Sequence, residues 1–306
     1  MKAFVIPQSG TQAIESAEVP VPQLAADELL VHVRAVGVGI HDSYFLPSEP
    51  TYPFPIGIEA AGDIEAIGSS VTGYQPGERI AFVSSMQPKG GTWAEFVAVK
   101  ATSLIIPIPA TMDYISAAAV PVAGNTALKA FGVLTTVRAG GSLFIAGGSG
   151  AIGTFAIQLA RQRGWRVAAS ASSANHEYMR ELGAEKTVDY HDSDWQQKVL
   201  EWMPGGVDAA LAIQPGTSAQ SLPVVKDGGS LVSVSGDSVS SERGILMQGI
   251  PYQMDVQDDI AKLMMAVTSS EIRLEVERVY PFDEARDALA KVQTRRARGK
   301  IVLRLE

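Results

Sequence analysis

The sequence of 306 residues contains no cysteine. Disulfides, thiolate metal sites and a cysteine nucleophile are therefore excluded. Long apolar runs are missing as well. The opening MKAFVIPQSG holds only the short run Ala3 to Ile6, too little for the apolar core of a secretion signal, and nothing approaches the roughly 20 apolar residues of a membrane span. Positive charge is in deficit, with 25 Lys plus Arg against 33 Asp plus Glu and a formal net charge of −8. Such a chain repels phosphodiester backbones and anionic lipid, so neither nucleic acid nor a membrane is expected as a partner, and a cytoplasmic location is expected. Charged residues make up 19% and apolar residues 46%, which fits packed cores rather than disorder. At roughly 150 residues per domain, two domains are expected.

Helix signals are absent from the first third. Lys2 to Ile6 and Leu29 to Val36 read as strands, and Pro and Gly recur between short apolar runs from Pro20 to Gly77. This punctuation predicts a β-barrel or sandwich-like domain. The pattern changes near Ile115, where an Ala-rich stretch predicts helices interrupted at Pro121. From Gly140 onward strands and helices alternate. Strands are expected at Ser142–Ala146, Arg166–Ser170, Val207–Ile213 and Ser230–Val234. A helix follows Gly150 with Ile152, Phe155, Ala156, Leu159 and Ala160 on one face, and another runs from Glu177 to Leu182 and stops at Gly183. Further on, an apolar helix is expected near residues 258–268, an edge strand within Gly244 to Met254, a helix over Phe282 to Val292, and a last strand over Lys300 to Leu305. Alternation at this spacing predicts right-handed βαβ units and a parallel sheet.

The segment SLFIAGGSGAIGTFAIQLA carries the strongest chemistry. Gly148, Gly150 and Gly153 form a G-x-G-x-x-G turn between a strand and a helix. The first glycine permits the tight turn, the second lets the backbone approach a pyrophosphate, and the third lets helix and strand pack closely. The N–H groups of Ser149, Gly150, Ala151, Ile152 and Gly153 then face the phosphates with the positive end of the helix dipole behind them. Enzymes that take NAD place an acid at the end of the second strand. Here no Asp or Glu lies between Trp165 and His176, so the sequence predicts NADPH, with Ser170, Ser172 and His176 as contacts to the 2′-phosphate. The strand ends at Ile213–Pro215 and Val234–Gly236, including Ser235, are expected to offer groups to the nicotinamide carboxamide.

At this point the chain resembles the medium-chain dehydrogenase/reductase superfamily, and within it the zinc-independent quinone oxidoreductases of the zeta-crystallin type. The resemblance rests on AVGVGIHDSY (35–44), PFPIGIEAAG (53–62), PGERIAF (76–82), GTWAEFVAV (91–99), PVAGNTALKAF (121–131), ELGAEKTVDY (181–190) and FDEARDALAKVQTRRARGKIVL (282–303), in the family's order over nearly the whole chain. It implies an α/β protein with a GroES-like β-barrel catalytic domain over 1–115 and 270–306, and a Rossmann doubly wound parallel-sheet domain over 116–269. It further implies Tyr44 in the substrate cleft, Thr126, Tyr190 and Lys300 near the cofactor, and a homodimer. Tyr52 is a second candidate aromatic for the substrate.

Two departures set the expected chemistry. Zinc alcohol dehydrogenases place Cys where this chain has Gly39 and His where it has Ile58. Glu59 remains, and His41 and Asp42 are adjacent in an extended segment, so they point apart. No metal is expected. Without a Lewis acid, acceptors that are already electrophilic are favoured. The expectation is hydride transfer from NADPH to quinones or other conjugated carbonyls. The alternatives are an enone or enoyl reductase with no quinone role, a non-catalytic NADPH-binding sensor and, more remotely, a zinc alcohol dehydrogenase. The quinone oxidoreductases usually carry Asn at the position of Gly39, and this chain lacks that contact.

Overall fold

In a computed structural model, which describes residues 1–11, 13–84 and 86–305, the punctuated first third folds into short strands and no α-helix begins before Tyr114. Gln12, Ser85 and Glu306, the last of these closing the expected catalytic segment, lie outside the described residues. The chain divides into two units. One comprises Met1–Val122, Gln257–Glu271 and Val276–Glu306, the other Ala123–Val256 and Ile272–Glu275.

The first unit is β-rich. Its larger sheet has seven strands. Val276–Pro281, Lys300–Arg304, Glu28–Val38, Glu59–Ile67, Arg79–Val83 and Ile105–Pro107 lie side by side, and Phe96–Lys100 pairs with Glu28–Val38. Lys2–Ile6 is the centre of a smaller sheet, between Glu15–Glu18 and Phe54–Pro55. The segment leading into Phe96–Lys100 joins the smaller sheet at Trp93. Its carbonyl accepts the N–H of Phe4 at 2.8 Å, its own N–H donates to Ile56 at 2.8 Å, and a bridge joins Ala3 to Ala94. In Glu28–Val38, Leu29, Val31 and Val33 alternate into the core while Leu30, His32 and Arg34 stay half-exposed, as a strand period of two requires. The buried indole of Trp93 and the ring of Phe282 both meet Phe4 edge to face. Asp113 caps the helix Tyr114–Ala118 by accepting the N–H of Ser116. Gly37 is obligatory where that helix crosses the sheet, since a Cβ there would lie 2.3 Å from the Ala118 carbonyl and 2.7 Å from the Glu59 carboxyl carbon.

The second unit is a six-stranded parallel sheet in the order Lys186–Asp189, Arg166–Ala171, Ser142–Ala146, Val207–Ala212, Val225–Ser233, Leu246–Gly249. The strand first in sequence is central, the doubly wound arrangement. Its side chains feed a core on each face. Leu143 and Ile145 join Phe131, Trp165 and Val167, whereas Phe144 and Ala146 join Trp195, Ala210 and Ala212. Phe131 stacks on Trp165 and Phe144 on Trp195, with centroids 5.4 and 5.2 Å apart. The Ala-rich stretch breaks as expected, and Pro121 opens the helix Pro121–Val133. Elsewhere the ends move. The expected helix over Phe282–Val292 starts as a tight turn at Phe282–Glu284 and becomes α-helical over Ala285–Gln293, and the expected edge strand shortens to Leu246–Gly249. No helix among the described residues is long and apolar enough to cross a membrane.

Candidate active site

In the parallel-sheet unit the glycine turn is pinned from below. The N–H groups of Gly147 and Gly148 both donate to the carbonyl of Ser170, at 3.1 and 2.9 Å. Ser170 itself is buried, so it serves the turn through its main chain. A Cβ on Gly148 would lie 2.8 Å from Ala169 and from Met179, and one on Gly153 would lie 2.4 Å from the Gly147 carbonyl. Gly150 differs, because its nearest neighbour in that direction is the Gly147 carbonyl at 3.8 Å. One side of the turn is therefore open to a ligand. The helix Ala151–Gln162 starts at Gly150 with no side-chain cap. The N–H groups of Ala151, Ile152 and Gly153 are the first-turn donors that a helix leaves to outside acceptors, and Ser149 adjoins them. Thr154 secures this first turn by bonding the Gly150 carbonyl at 2.9 Å and the Tyr178 hydroxyl at 2.7 Å.

Around the end of the second strand the structure adds an acid that sequence reasoning missed. Asp189 closes the neighbouring strand, and its carboxylate accepts the N–H of Ser173 at 2.7 Å and of His191 at 3.0 Å. The His191 N–H, its ring and the Ser173 N–H bring the Asp189 carboxyl down to about 2 against the opposing effect of burial. Only the pairing of the two strands, Ala171 opposite Asp189, could have revealed it. Ser172 is half-buried and accepts from Asn175, while Nε2 of His176 is buried with no hydrogen-bond partner among the described residues. Tyr190 is 49% exposed and tilts onto His191. Thr126 is half-buried on Pro121–Val133, and Ile213 and Ser235 follow the carboxyl ends of Val207–Ala212 and Val225–Ser233.

Lys300, Tyr44 and Tyr52 belong to the β-rich unit. Lys300 is 6% exposed and donates to Oε1 of Glu59, itself 1% exposed, so it is a buried ion-pair partner. Oε2 of Glu59 accepts the Val122 N–H at 2.7 Å. Burial pushes the Glu59 carboxyl up and Lys300 opposes it. Asp42 turns inward beside them and accepts the N–H of Gly39 and the indole N–H of Trp93 at 2.8 and 3.1 Å. Its neighbour His41 turns outward and stacks on Phe45 with centroids 4.7 Å apart. Desolvation lowers the His41 ring, and the charges of Arg295 and Lys300 add to this. Tyr44 meets His41 edge on and stays 53% exposed, its hydroxyl raised mainly by partial burial. Tyr52 packs against the hydrophobic core of the unit.

These residues do not fit a zinc ion. Gly39 and the buried, apolar Ile58 offer no donor, Glu59 is neutralised by Lys300, and His41 and Asp42 point apart. No cluster of three or more His, Asp or Glu among the described residues is placed to hold a metal. The glycine turn, by contrast, fits a dinucleotide on its open side.

Family models for an alcohol dehydrogenase GroES-like domain and for a zinc-binding dehydrogenase match residues 25–110 and 182–303. A trans-enoyl reductase of Aspergillus terreus, tazE, is 33% identical over 65% of this chain and 71% of its own length. A chloroplastic NADPH-dependent alkenal/one oxidoreductase of Arabidopsis thaliana is 28% identical over 99% of this chain and 79% of its own. The structure of the quinone oxidoreductase from Coxiella burnetii superposes with a TM-score of 0.90 at 26% identity, covering 100% of this chain and 99% of that one.

Proposed function

Because the chain belongs to the medium-chain dehydrogenase/reductase superfamily, in its quinone oxidoreductase group, we propose that it reduces quinones and conjugated carbonyl compounds with NADPH and without a metal. The protein is an oxidoreductase with an NAD(P)-binding Rossmann unit. The observation that carries the choice of acceptor is the donor set where zinc would bind, with Gly39 and Ile58 in place of ligands and Glu59 closed off by Lys300. A simple ketone or alcohol has nothing here to polarise it, whereas a quinone or enone is electrophilic unaided.

When bound, the reduced nicotinamide supplies the hydride. The chain's own residues bind and orient. Ser149 to Gly153 would hold the pyrophosphate through the uncapped helix start, Thr126, Ile213 and Ser235 would line the nicotinamide end, and the exposed Tyr44 would offer its hydroxyl to the acceptor's carbonyl. NADPH rather than NADH is supported by the acid-free stretch from Arg166 to His176. The charge of Asp189 is already engaged by Ser173 and His191. Tyr190 completes this end of the proposed cofactor site. In this reading a catalytic domain over 1–115 and 270–306 handles the acceptor, and a Rossmann domain over 116–269 handles the cofactor. A non-catalytic sensor is set aside because the matched relatives are reductases. Their names favour enones and enals as acceptors at least as much as quinones.

Purified protein assayed with chelator present against ortho-quinones and short enals is expected to oxidise NADPH at least about tenfold more efficiently than NADH. Saturable NADPH binding with no oxidation by any acceptor would defeat the reading. We further place the enzyme in the cytoplasm as a homodimer paired through the edge strand Leu246–Gly249, whose Leu246 is 50% exposed. A monomer in size-exclusion chromatography at micromolar concentration would overturn that assembly.

A further inference from the structure

Asp42 is a buried carboxyl with two unlike oxygens. Oδ2 holds the loop, accepting from Gly39 and Trp93. Oδ1 accepts from no group among the described residues and faces the place where residue 39 would carry its side chain. A Cβ built on Gly39 would lie 3.3 Å from Oδ1, and its next neighbours, at 3.8 and 4.0 Å, are the other carboxyl atoms of Asp42. Glycine at 39 thus leaves a gap whose near wall is one oxygen of a buried acid, and any other residue there would screen it.

Burial, more than the neighbouring charges, favours a proton on that acid up to neutrality. Burial raises Asp42 to about 7, and Glu59 adds to the rise. The Gly39 N–H, Lys300 and the Trp93 indole oppose it. Tyr44 and His41 on the same turn are the other titratable neighbours, with Arg295 acting on both.

We propose that Asp42, through Oδ1, donates the proton that completes reduction of a conjugated carbonyl acceptor at its α-carbon. The inference rests on the reductase function proposed above. Hydride leaves C4 of NADPH with its electron pair and bonds to the β-carbon, and the double-bond pair shifts to give an enolate and NADP+. Asp42 then transfers its proton to the α-carbon, the carbonyl re-forms, and the carboxylate takes a proton from water once product departs. Protonation at carbon is slow from solvent and benefits from a positioned acid. Protonation of a reduced quinone occurs on oxygen and is fast without one.

The test compares kcat for a vinyl ketone and for an ortho-quinone across pH in wild type, Asp42→Asn and Gly39→Ala. Asn keeps an acceptor for Gly39 and Trp93 but has no acidic proton. Alanine keeps the acid and sets a methyl over Oδ1. Wild-type enone turnover is expected to hold below pH about 7 and to fall as Asp42 ionises above it. Asp42→Asn is expected to lose about 10²-fold with the enone, together with that falling limb, and less than about tenfold with the quinone. Gly39→Ala is expected to shift the enone-to-quinone ratio the same way. Equal loss with both acceptors, no loss, or a falling limb that persists in Asp42→Asn would overturn the assignment. A wild type inactive with both acceptors would instead overturn the reductase function and this role with it.

Discussion

Gly153→Val is expected to remove useful cofactor binding, weakening NADPH by about a hundredfold or more and destabilising the parallel-sheet unit by about 3 kcal/mol. The first added carbon alone would sit 2.4 Å from the Gly147 carbonyl and 2.6 Å from two main-chain atoms of Gly148. Backbone cannot step aside as a flexible side chain can, so the helix Ala151–Gln162 must lift from the turn. Its first-turn N–H groups then lose their aim at the pyrophosphate. Gly150→Ala is the informative contrast. Its φ of −79° suits any residue and its Cβ meets nothing closer than 3.8 Å, so the unliganded protein should keep its stability and only affinity should fall. Calorimetric titration beside urea unfolding separates the two outcomes. Unchanged NADPH affinity in both variants would show that the turn does not carry the phosphates.

Lys300→Met is expected to destabilise the protein by about 3–5 kcal/mol, because it strands the Glu59 carboxylate in the core. Burial already pushes that carboxyl above its ordinary 4.5, with Lys300 opposing the rise. Without the cation the rise is larger, and the folded state then binds a proton more tightly than the unfolded chain does. Stability of the variant should therefore be greatest in acid and decline as pH climbs above about 4.5. Adding Glu59→Gln, which still accepts the N–H of Val122, should restore most of the loss and flatten the pH dependence. Urea titrations at several pH values would show this. A single variant as stable as wild type at neutral pH would mean that the pair is not what holds these strands.

The glycine turn was legible in the sequence because its parts are consecutive. Strand, three glycines and the amphipathic face of Ile152, Phe155, Ala156 and Leu159 follow one another, and each has a local backbone reason. The chemistry of the β-rich unit was less so. Lys300 showed only the pattern of a strand end, and its partner Glu59 lies 241 residues away. Trp93 gave no signal that its indole would fix one oxygen of Asp42 and leave the other bare. Asp189 escaped because the acid search followed one strand, and the carboxylate arrived from the next through sheet register. His41 and Asp42 do point apart as expected, but for another reason: they lie in a tight turn rather than an extended segment, with the Asp42 N–H donating to the Gly39 carbonyl at 3.2 Å and the Phe45 N–H to the His41 carbonyl at 2.9 Å.

The Glu59–Lys300 bond also carries a timetable. With a ribosome adding roughly 5–20 residues per second, about 12–48 s separate the synthesis of the two partners. All six strands of the parallel sheet have emerged by Gly249, so that unit can close while the other still waits. During the interval Glu28–Val38 has an open edge at Ala35–Val38, where Lys300–Arg304 will pair, and Glu59 has no counter-ion. The nascent β-rich unit is thus the part of the chain exposed longest to chaperones and proteases, and its last strand acts as the latch that ends that exposure.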